Sequence, residues 1–184
     1  MPDTVNSDVI LKAKRGDIDA IALIYRRFNL DIFRYLFYRV NNQQAAEDIT
    51  SDVFLRMIQS LPNYRLQGSP FQAWLFRIAH NLAIDFSRKA SNRNQTQLTK
   101  DLVANDPDPA QVSERNLTSE RLNLALTELG QDQRDVIALR FVVCLSIADT
   151  ALVLNKSQDA VKGLQRRALT ALRNLLTDLE VHNV

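Results

Sequence analysis

Apolar residues recur at intervals of three or four along most of the chain, which is the periodicity of amphipathic helices. In the first half this pattern predicts four helices. The first starts at Ser7 or Asp8, breaks or bends at Gly16 and continues to Phe28, and the second, LDIFRYLFYRV, stops near Asn41. The 184 residues include only four Gly and five Pro, so long helices are favoured over strands joined by tight turns. The sequence therefore predicts an all-α protein.

The third predicted helix, QQAAEDITSDVFLRMIQSL, ends at Pro62 and divides its side chains between two faces. The apolar face consists of Phe54, Met57, Ile58 and Leu61. The polar face consists of Asp48, Asp52, Arg56 and Gln59. Because Asp52 and Arg56 are four residues apart, the simplest interpretation of the polar face is a solvated surface with a weak ion pair.

The fourth predicted helix, SPFQAWLFRIAHNLAIDFSRK, is apolar on two sides, which indicates that it packs between neighbours. Ser69 is its expected N-cap, with Pro70 at the first helical position. The remaining stripe holds Arg77, Asn81 and Arg88, with Trp74 and Asp85 at its edge. Cations and amides beside an aromatic ring suit single-stranded nucleic acid, although an aromatic residue at helical spacing is more often part of a core.

A polar segment, ASNRNQTQLTKDLVANDPDPAQVSERN, separates the two halves of the chain. It contains Asp-Pro twice, which disfavours helix at those positions. We therefore expect two small domains, at 1–90 and 118–184, each large enough to close a core, with a linker at 91–117. Without a partner, this linker is simply a tether.

The second domain ends in the stretch CLSIADTALVLNKSQDAVKGLQRRAL. Ser146 with Asp149 is a capping-box signature, Asn155 suits a left-handed turn position, and Ser157 is a good N-cap. A short helix, a tight corner and a longer helix follow. Residues 156–173 carry five basic side chains and one acidic one. A basic face at a helix N-terminus is what a recognition helix needs, but an ordinary helical hairpin fits this pattern equally well.

Composition excludes several other classes of protein. The net charge of +2 is uninformative, and the single cysteine, Cys144, rules out an internal disulfide, so we expect it to be a buried apolar residue. Two histidines give no zinc spacing, and we find neither a phosphate-cradling Gly-rich loop nor a nucleophile-base pair, so no enzyme activity and no cofactor are expected. Because signal-peptide and membrane-span patterns are absent, we expect a cytoplasmic protein without membrane insertion.

Three segments in this order resemble those of the bacterial RNA polymerase sigma factors of the extracytoplasmic-function group, over nearly the whole chain. AEDITSDVFLRMIQSL is similar to the family's core-polymerase-binding segment. SPFQAWLFRIAHNLAIDFSRK is similar to its promoter-melting and minus-ten segment, in which Trp-Leu is followed by Ile-Ala, Asn, Asp and Arg. QRDVIALRF with LSIADTALVLNKSQDAVKGLQRRALTALRNLL is similar to its minus-thirty-five-binding helix-turn-helix.

The resemblance implies a role for each surface. It implies an amino-terminal domain of the sigma region 2 type and a carboxy-terminal domain of the sigma region 4 type. Residues expected to bind core polymerase are Asp48, Asp52, Leu55 and Arg56. Residues expected at the minus-ten DNA are Tyr64, Arg65, Trp74, Arg77, Asn81, Asp85 and Arg88, with Tyr64 and Arg65 in a loop that holds a flipped base. Residues expected at the minus-thirty-five DNA are Gln158, Asp159, Lys162, Arg166 and Arg167.

The function implied is non-enzymatic: core RNA polymerase supplies catalysis, and this chain supplies promoter recognition and assists DNA melting. The resemblance further implies a linker in the polymerase RNA exit path, a response to stress or envelope signals, and a separate anti-sigma factor as a partner. Gly130, Thr150 and Asn155 depart from the family's usual Pro, Ile and Gly. The alternative function is a free-standing helix-turn-helix regulator that binds duplex DNA as a dimer.

Overall fold

A computed structural model describes residues 5–96, 122 and 124–181, with side chains given for 5–91, 122 and 124–177. Within these residues every regular element is helical, which confirms the predicted all-α class. The helices are α1 (Ser7–Lys14), α2 (Ile18–Val40), α3 (Gln43–Ser60), α4 (Phe71–Thr96), α5 (Gln131–Ile137), α6 (Ile147–Leu154) and α7 (Gln158–Val181). A 3₁₀ turn, Leu61–Asn63, follows α3, a π-helical turn, Ala138–Val142, follows α5, and residues 124–128 are also helical. None of the helices among these residues is long and apolar enough to cross a membrane.

Short polar side chains cap the first three helices. Asn6, Asp17 and Asn42 each accept a hydrogen bond from the backbone N–H three residues later, at 3.0, 2.9 and 2.8 Å respectively. These bonds satisfy N–H groups that have no partner within the helix. At the end of α2, Asn41 adopts the left-handed conformation with φ 51°, so the predicted stop near Asn41 is confirmed.

Helix α2 is continuous from Ile18 to Val40, and the predicted division after Phe28 is wrong. The polar residues at this point, Asn29 and Asp31, do not interrupt the backbone ladder. Arg27 instead forms an ion pair with Asp31 at 2.8 Å, one helical turn later. This i,i+4 pair favours the helical conformation across the position where a break was expected.

Helix α4 packs against α2 and α3 on one side and against α6 on the other. Its neighbouring residues Leu75 and Phe76 are both completely buried, although they lie on different faces, so the predicted wedged position is confirmed. Its start differs by one residue from the prediction, because the Trp74 N–H donates to the Pro70 carbonyl at 3.0 Å. Pro70 rather than Ser69 therefore occupies the N-cap.

One hydrophobic core extends through both halves of the chain. It includes Ile24 and Phe76 of the first half together with Val136 and Val153 of the second, all at most 1% exposed. A smaller cluster lies within the second half, around Leu126. In this arrangement, buried side chains of the two expected domains therefore pack against one another. Of the expected linker, residues 91–96 continue α4, and the remainder lies outside the described residues.

Cys144 is exposed, so the prediction that it is buried is wrong. Its φ of 62° places it in the left-handed region, between the π-helical turn and α6. This conformation lets the Leu145 N–H reach the Leu139 carbonyl at 2.9 Å. Leu145, which is 2% exposed, enters the core, and the side chain of Cys144 points outward.

Candidate functional site

A groove between α3 and α4 brings together residues from two of the expected sites. Asp52, Leu55 and Arg56 line it from α3, and Asp85 lines it from α4. Leu55 is 57% exposed and adds apolar area to this lining. Asp48 is also exposed, one helical turn before Asp52. The side chains expected to bind polymerase therefore form one accessible surface.

Two details of α3 differ from the simplest interpretation of its sequence. Asp52 and Arg56 form no ion pair with each other or with any other described residue, so both are available to a partner. Ile58 was expected on the buried face, but it is 44% exposed, whereas Met57 and Leu61 are buried as expected. The apolar face of α3 is therefore narrower than its sequence pattern indicates.

The polar stripe of α4 is accessible along its length. Arg77, Asn81, Asp85 and Arg88 are all exposed, at intervals of four, four and three residues. Asn81 and Asp85 also line a groove with Arg56 of α3, so the expected minus-ten and polymerase-binding surfaces adjoin. Several further residues line the two grooves and were not among the expected site residues, including Gln59, Leu82, Phe86 and Lys89.

The loop before α4 presents Arg65 but not Tyr64. Tyr64 is only 6% exposed, and its hydroxyl donates to the Ser69 carbonyl at 2.9 Å. Its own carbonyl accepts a hydrogen bond from Lys14 of α1. The expectation that Tyr64 meets a flipped base is therefore wrong for this conformation: the side chain closes the loop, whose exposed tip is 65–68. Gly68 is suited to the turn because a Cβ there would lie 3.2 Å from the Arg65 carbonyl.

Trp74 is half-buried in an aromatic cluster at the start of α4. Its ring centroid lies 4.8 Å from that of Tyr64 and 5.4 Å from that of Phe71. Tilted contacts at these distances are typical of aromatic packing in protein cores. Trp74 therefore packs against Tyr64 of the loop and is only partly exposed to a nucleic acid.

The second half contains the predicted helix-turn-helix. The Ser146 hydroxyl accepts from the Asp149 N–H at 3.0 Å, and Ser157 accepts from the Ala160 N–H at 3.1 Å. Asn155 has φ 52°, so all three predicted features of this corner are confirmed. Gln158, Asp159, Lys162, Arg166 and Arg167 are all exposed. On the opposite side of α7, Val161 and Ala168 are completely buried, which fixes the direction in which the basic face points.

Two polar contacts hold this corner on the rest of the domain. Lys156, in the turn, forms an ion pair with Asp132 of α5 at 2.9 Å. Arg140, in the π-helical turn, donates from Nε to the Gln165 side chain of α7 at 3.1 Å. Each contact ties the turn or α7 to a preceding helix. These two contacts therefore hold α7, which carries the basic face, against the preceding helices.

A buried polar cluster joins the two halves of the chain, and sequence reasoning missed it. Asp135 of α5 forms an ion pair with Arg39 of α2, with 2.7 Å between the carboxylate oxygen and Nε. It also accepts a hydrogen bond from the Tyr35 hydroxyl at 3.1 Å. The same hydroxyl lies 2.9 Å from His80 Nδ1 of α4. The only sequence signal is Arg39 within the apolar run LFYRV and Asp135 at the start of the run DVIALRF.

Burial shifts the pKa values of Asp135 and His80 in opposite directions. Burial raises the pKa of Asp135 to about 6, against the lowering effect of Arg39. Burial, assisted by the positive charge of Arg39, lowers the pKa of His80 to about 4. At neutral pH the cluster therefore holds one carboxylate, one guanidinium and a neutral imidazole.

Comparison with known families matches both halves of the chain. Residues 24–93 match Sigma-70 region 2, and residues 125–174 match Sigma-70 region 4. The chain is 34% identical over 173 residues to the ECF RNA polymerase sigma factor BldN of Streptomyces coelicolor, covering 93% of this chain and 66% of BldN. It is 31% identical over 161 residues to the ECF RNA polymerase sigma factor SigX of Bacillus subtilis, covering 84% of this chain and 82% of SigX.

The chain belongs to the ECF sigma factors. Its fold is similar to that of CnrH, solved in complex with the cytosolic domain of CnrY, with a TM-score of 0.74, 23% identity and coverage of 95% of this chain and 99% of the other. It is also similar to RpoE of Bartonella quintana, solved with the anti-sigma factor NepR, with a TM-score of 0.73, 22% identity and coverage of 87% and 98%.

The function implied by the sequence is thereby confirmed: this sigma factor directs transcription initiation by RNA polymerase. The first half of the chain matches region 2. The alternative function, a free-standing dimeric regulator, does not account for a region 2 domain. The helix-turn-helix lies within region 4.

Proposed function

We propose that this sigma factor acts through one surface for core polymerase and two surfaces for promoter DNA, and that it contributes no chemistry of its own. The observation that carries the proposal is the exposure of all three surfaces on helices whose opposite faces are buried. The α3–α4 groove receives core polymerase, the α4 stripe with the loop tip at Arg65 receives the minus-ten strand, and the basic face of α7 receives the minus-thirty-five duplex.

The polymerase-binding surface combines exposed apolar and charged groups. Leu55 supplies apolar area, while Asp52 and Arg56 supply charges that no described residue neutralises. An apolar centre with a polar rim is the usual anatomy of a protein–protein interface. Helical segments of the largest polymerase subunit fit this surface, because a groove between two helices accepts a third.

Charge reversal in the groove tests this assignment. We expect Asp52→Arg to abolish co-purification with core polymerase. Glu47→Arg is the matched control, because Glu47 is an exposed acid on the same helix but does not line the groove. Normal co-purification of Asp52→Arg, or equal loss in both variants, would contradict the proposed surface.

The α7 face is proposed to read the minus-thirty-five duplex from the major groove. The first turn of α7 carries Gln158 and Asp159, and the next two turns carry Lys162 and Arg166. The N-terminal residues of a recognition helix contact base edges, and later cations reach phosphates. Arg167, beside this face, is a candidate phosphate contact.

Loss of a phosphate contact changes the salt dependence of binding. We expect Arg166→Ala to weaken promoter binding by holoenzyme and to reduce the slope of log affinity against log salt by about 1. Arg26→Ala, which removes an exposed positive charge from α2, is the control. If Arg166→Ala and Arg26→Ala have the same slope as the parent protein, α7 does not contact the DNA backbone at this position.

We also propose that the protein acts in the cytoplasm, where core polymerase and promoters are found, and that a separate anti-sigma factor restrains it in response to stress or envelope signals. Support for such a partner comes from RpoE of Bartonella quintana, which was solved with the anti-sigma factor NepR. Capture of an anti-sigma protein by the tagged chain from its own host, released when core polymerase is added in excess, tests this proposal. An uninduced host in which the chain is bound only to polymerase would contradict it.

A further inference from the structure

Helix α1 lies before residues 24–93, the segment that matches Sigma-70 region 2, yet it adjoins the loop whose tip is 65–68. The buried side chains of Ile10 and Ala13 fix one face of α1 in the core. The helix also packs beside the 3₁₀ turn, Leu61–Asn63, from which the loop begins. A helix outside the matched segment is therefore placed to influence a surface that is proposed above to meet the minus-ten strand.

Lys14, the last residue of α1, forms a polar contact between this helix and the loop. Its ammonium group donates a hydrogen bond to the Tyr64 carbonyl, 50 residues away in the sequence. The corner between α1 and α2 fixes the backbone beside it: Gly16 adopts φ 86°, and the Asp17 N–H donates to the Lys12 carbonyl at 3.2 Å. The side chain of Lys14 is half-buried, so its stem is held by packing. A hydrogen bond from such a charged donor is stronger than one between neutral groups.

Tyr64, the residue that precedes the exposed tip of the loop, is held at three of its polar groups. Its N–H donates to the Leu61 carbonyl at 3.0 Å, and its hydroxyl donates to the Ser69 carbonyl at 2.9 Å. Both of these bonds lie within the loop and its flanks. The bond to the Tyr64 carbonyl, in contrast, comes from α1. Lys14 therefore fixes the loop to a separate helix.

The peptide group between Tyr64 and Arg65 sets the direction in which the tip begins. A peptide group is planar and trans, so its carbonyl and its N–H point in opposite directions. Because the Tyr64 carbonyl is held toward Lys14, the Arg65 N–H faces away from α1. The turn that follows is closed by the Gly68 N–H, which donates to the Arg65 carbonyl at 3.0 Å. A loop that is already fixed in this way loses less conformational freedom on binding, which favours binding.

We propose that Lys14 is a positioning residue for promoter opening: through the Tyr64 carbonyl, it holds the loop tip in the conformation that captures the unpaired minus-ten strand. This role rests on the assignment of Arg65 and the loop tip to the minus-ten surface. Lys14 acts through the loop and does not contact DNA itself. Without the ammonium group, the Tyr64 carbonyl loses its partner and the peptide group is free to rotate. The tip then samples other conformations and captures the strand more slowly.

The rate of promoter opening by complete holoenzyme tests this role. Permanganate reactivity of unpaired thymines, followed over time, measures that rate. Lys14→Met removes the ammonium group but keeps the apolar stem, and we expect it to slow opening by about tenfold. Lys12→Met is the matched control and should open at the parent rate, because the exposed Lys12 lies on the same helix but pairs with Asp8 at 3.2 Å. Lys14→Arg retains a charged donor and should open at close to the parent rate.

Two further readouts distinguish positioning from a general loss of stability and from a direct DNA contact. Because Lys14 acts through the tip, Lys14→Met should slow opening much less in an Arg65→Ala background than in the parent chain. Effects that simply multiply would overturn the role. Loss of a phosphate contact lowers the slope of log affinity against log salt by about 1, whereas Lys14→Met should leave that slope unchanged. A lower slope would show that Lys14 binds DNA directly, which also overturns positioning.

The same variants separate the role of Lys14 from the proposed function. If Arg65→Ala slows opening and Lys14→Met does not, the positioning role is overturned while the minus-ten surface stands. If both variants open at the parent rate, the loop is not part of the minus-ten surface, and both proposals are overturned. Lys14→Gln, whose side chain ends one bond short of the ammonium position, decides the matter if Lys14→Met fails to fold. Slow opening is again the expected result, and opening at the parent rate would overturn the role.

Discussion

The Tyr35 hydroxyl donates to Asp135 at 3.1 Å while lying 2.9 Å from His80 Nδ1. A phenol has one proton, so the second contact requires His80 to donate. His80 therefore carries a proton on Nδ1, and its lowered pKa of about 4 makes it the neutral Nδ1–H tautomer at neutral pH. The arrangement links the protonation of His80 to folding.

Stability is expected to depend on pH through His80. In the unfolded chain the imidazole titrates near its ordinary pKa of about 6.5, whereas in the folded chain it titrates at about 4. As pH falls from 6.5 to 4 the unfolded chain therefore takes up a proton that the folded chain does not, which destabilises the fold. Asp135, with its raised pKa, has the opposite effect between pH 4 and 6.

The comparison with His80→Gln isolates the histidine contribution, because Asp135 is present in both proteins. The free energy of unfolding of the parent chain, relative to His80→Gln, should rise by about 3 kcal/mol between pH 4 and pH 7. Urea unfolding at half-unit pH intervals measures this difference. A difference that stays constant over the range would show that His80 titrates alike in both states.

Cys144→Gly should stabilise the protein. A side chain in the left-handed region costs about 1–2 kcal/mol, and glycine avoids this strain but gains entropy in the unfolded chain, so a net gain of about 0.5–1 kcal/mol is expected. Cys144→Ala removes the thiol but keeps the strain at φ 62°, so its stability should be close to that of the parent chain. Equal thermal midpoints for all three proteins would contradict strain at this position.

Thr150→Val should also stabilise the fold. Thr150 is completely buried, and its hydroxyl has no hydrogen-bond partner among the described residues. Leaving a buried hydroxyl unsatisfied costs about 1–3 kcal/mol, and valine has nearly the same shape. Thr50→Val is the matched control, since the buried Thr50 hydroxyl donates to the Ala46 carbonyl at 2.6 Å. Chemical unfolding should show a gain only for Thr150; a loss there would indicate that its hydroxyl is satisfied.

Two substitutions in the loop before α4 should separate folding from recognition. Tyr64→Phe removes the hydrogen bond to Ser69 and should lower the free energy of unfolding by about 1 kcal/mol. Arg65→Ala should leave stability unchanged, because the side chain is exposed, but should slow promoter opening. Permanganate reactivity of unpaired thymines measures opening. Normal opening by Arg65→Ala would remove the loop tip from the proposed minus-ten surface.

Local features of the fold could be predicted from sequence, and long-range ones could not. The corner at Asn155 was predictable because its caps, Ser146 and Ser157, bond to groups three residues away. The continuity of α2 was missed because its polar middle drew attention away from a buried stripe, Ile24, Phe28 and Ile32, that continues across it. The cluster joining Tyr35 to Asp135 spans 100 residues, and no local pattern specifies that contact. Cys144 was misplaced because its orientation depends on a backbone turn rather than on its polarity.

For the candidate surfaces, too, local features could be predicted from sequence and contacts between helices could not. Helical periodicity placed Asp52, Arg77 and Lys162 on exposed faces, and all three are exposed. It gave no information on which residues of different helices adjoin, so the lining of the α3–α4 groove by Leu82 and Phe86 went unrecognised. Tyr64 was assigned to a binding loop from its position in sequence, but packing against Phe71 and Trp74 buries it.

The most direct test of the central claim is transcription by purified core polymerase with and without this chain on fragmented host DNA, with the 5′ ends of the transcripts sequenced. The account predicts that the chain creates a new set of start sites preceded by two shared sequence elements, near positions minus ten and minus thirty-five. The Asp52→Arg variant should create none. Identical 5′ ends with and without the chain would contradict the assignment of promoter-specific initiation to this protein.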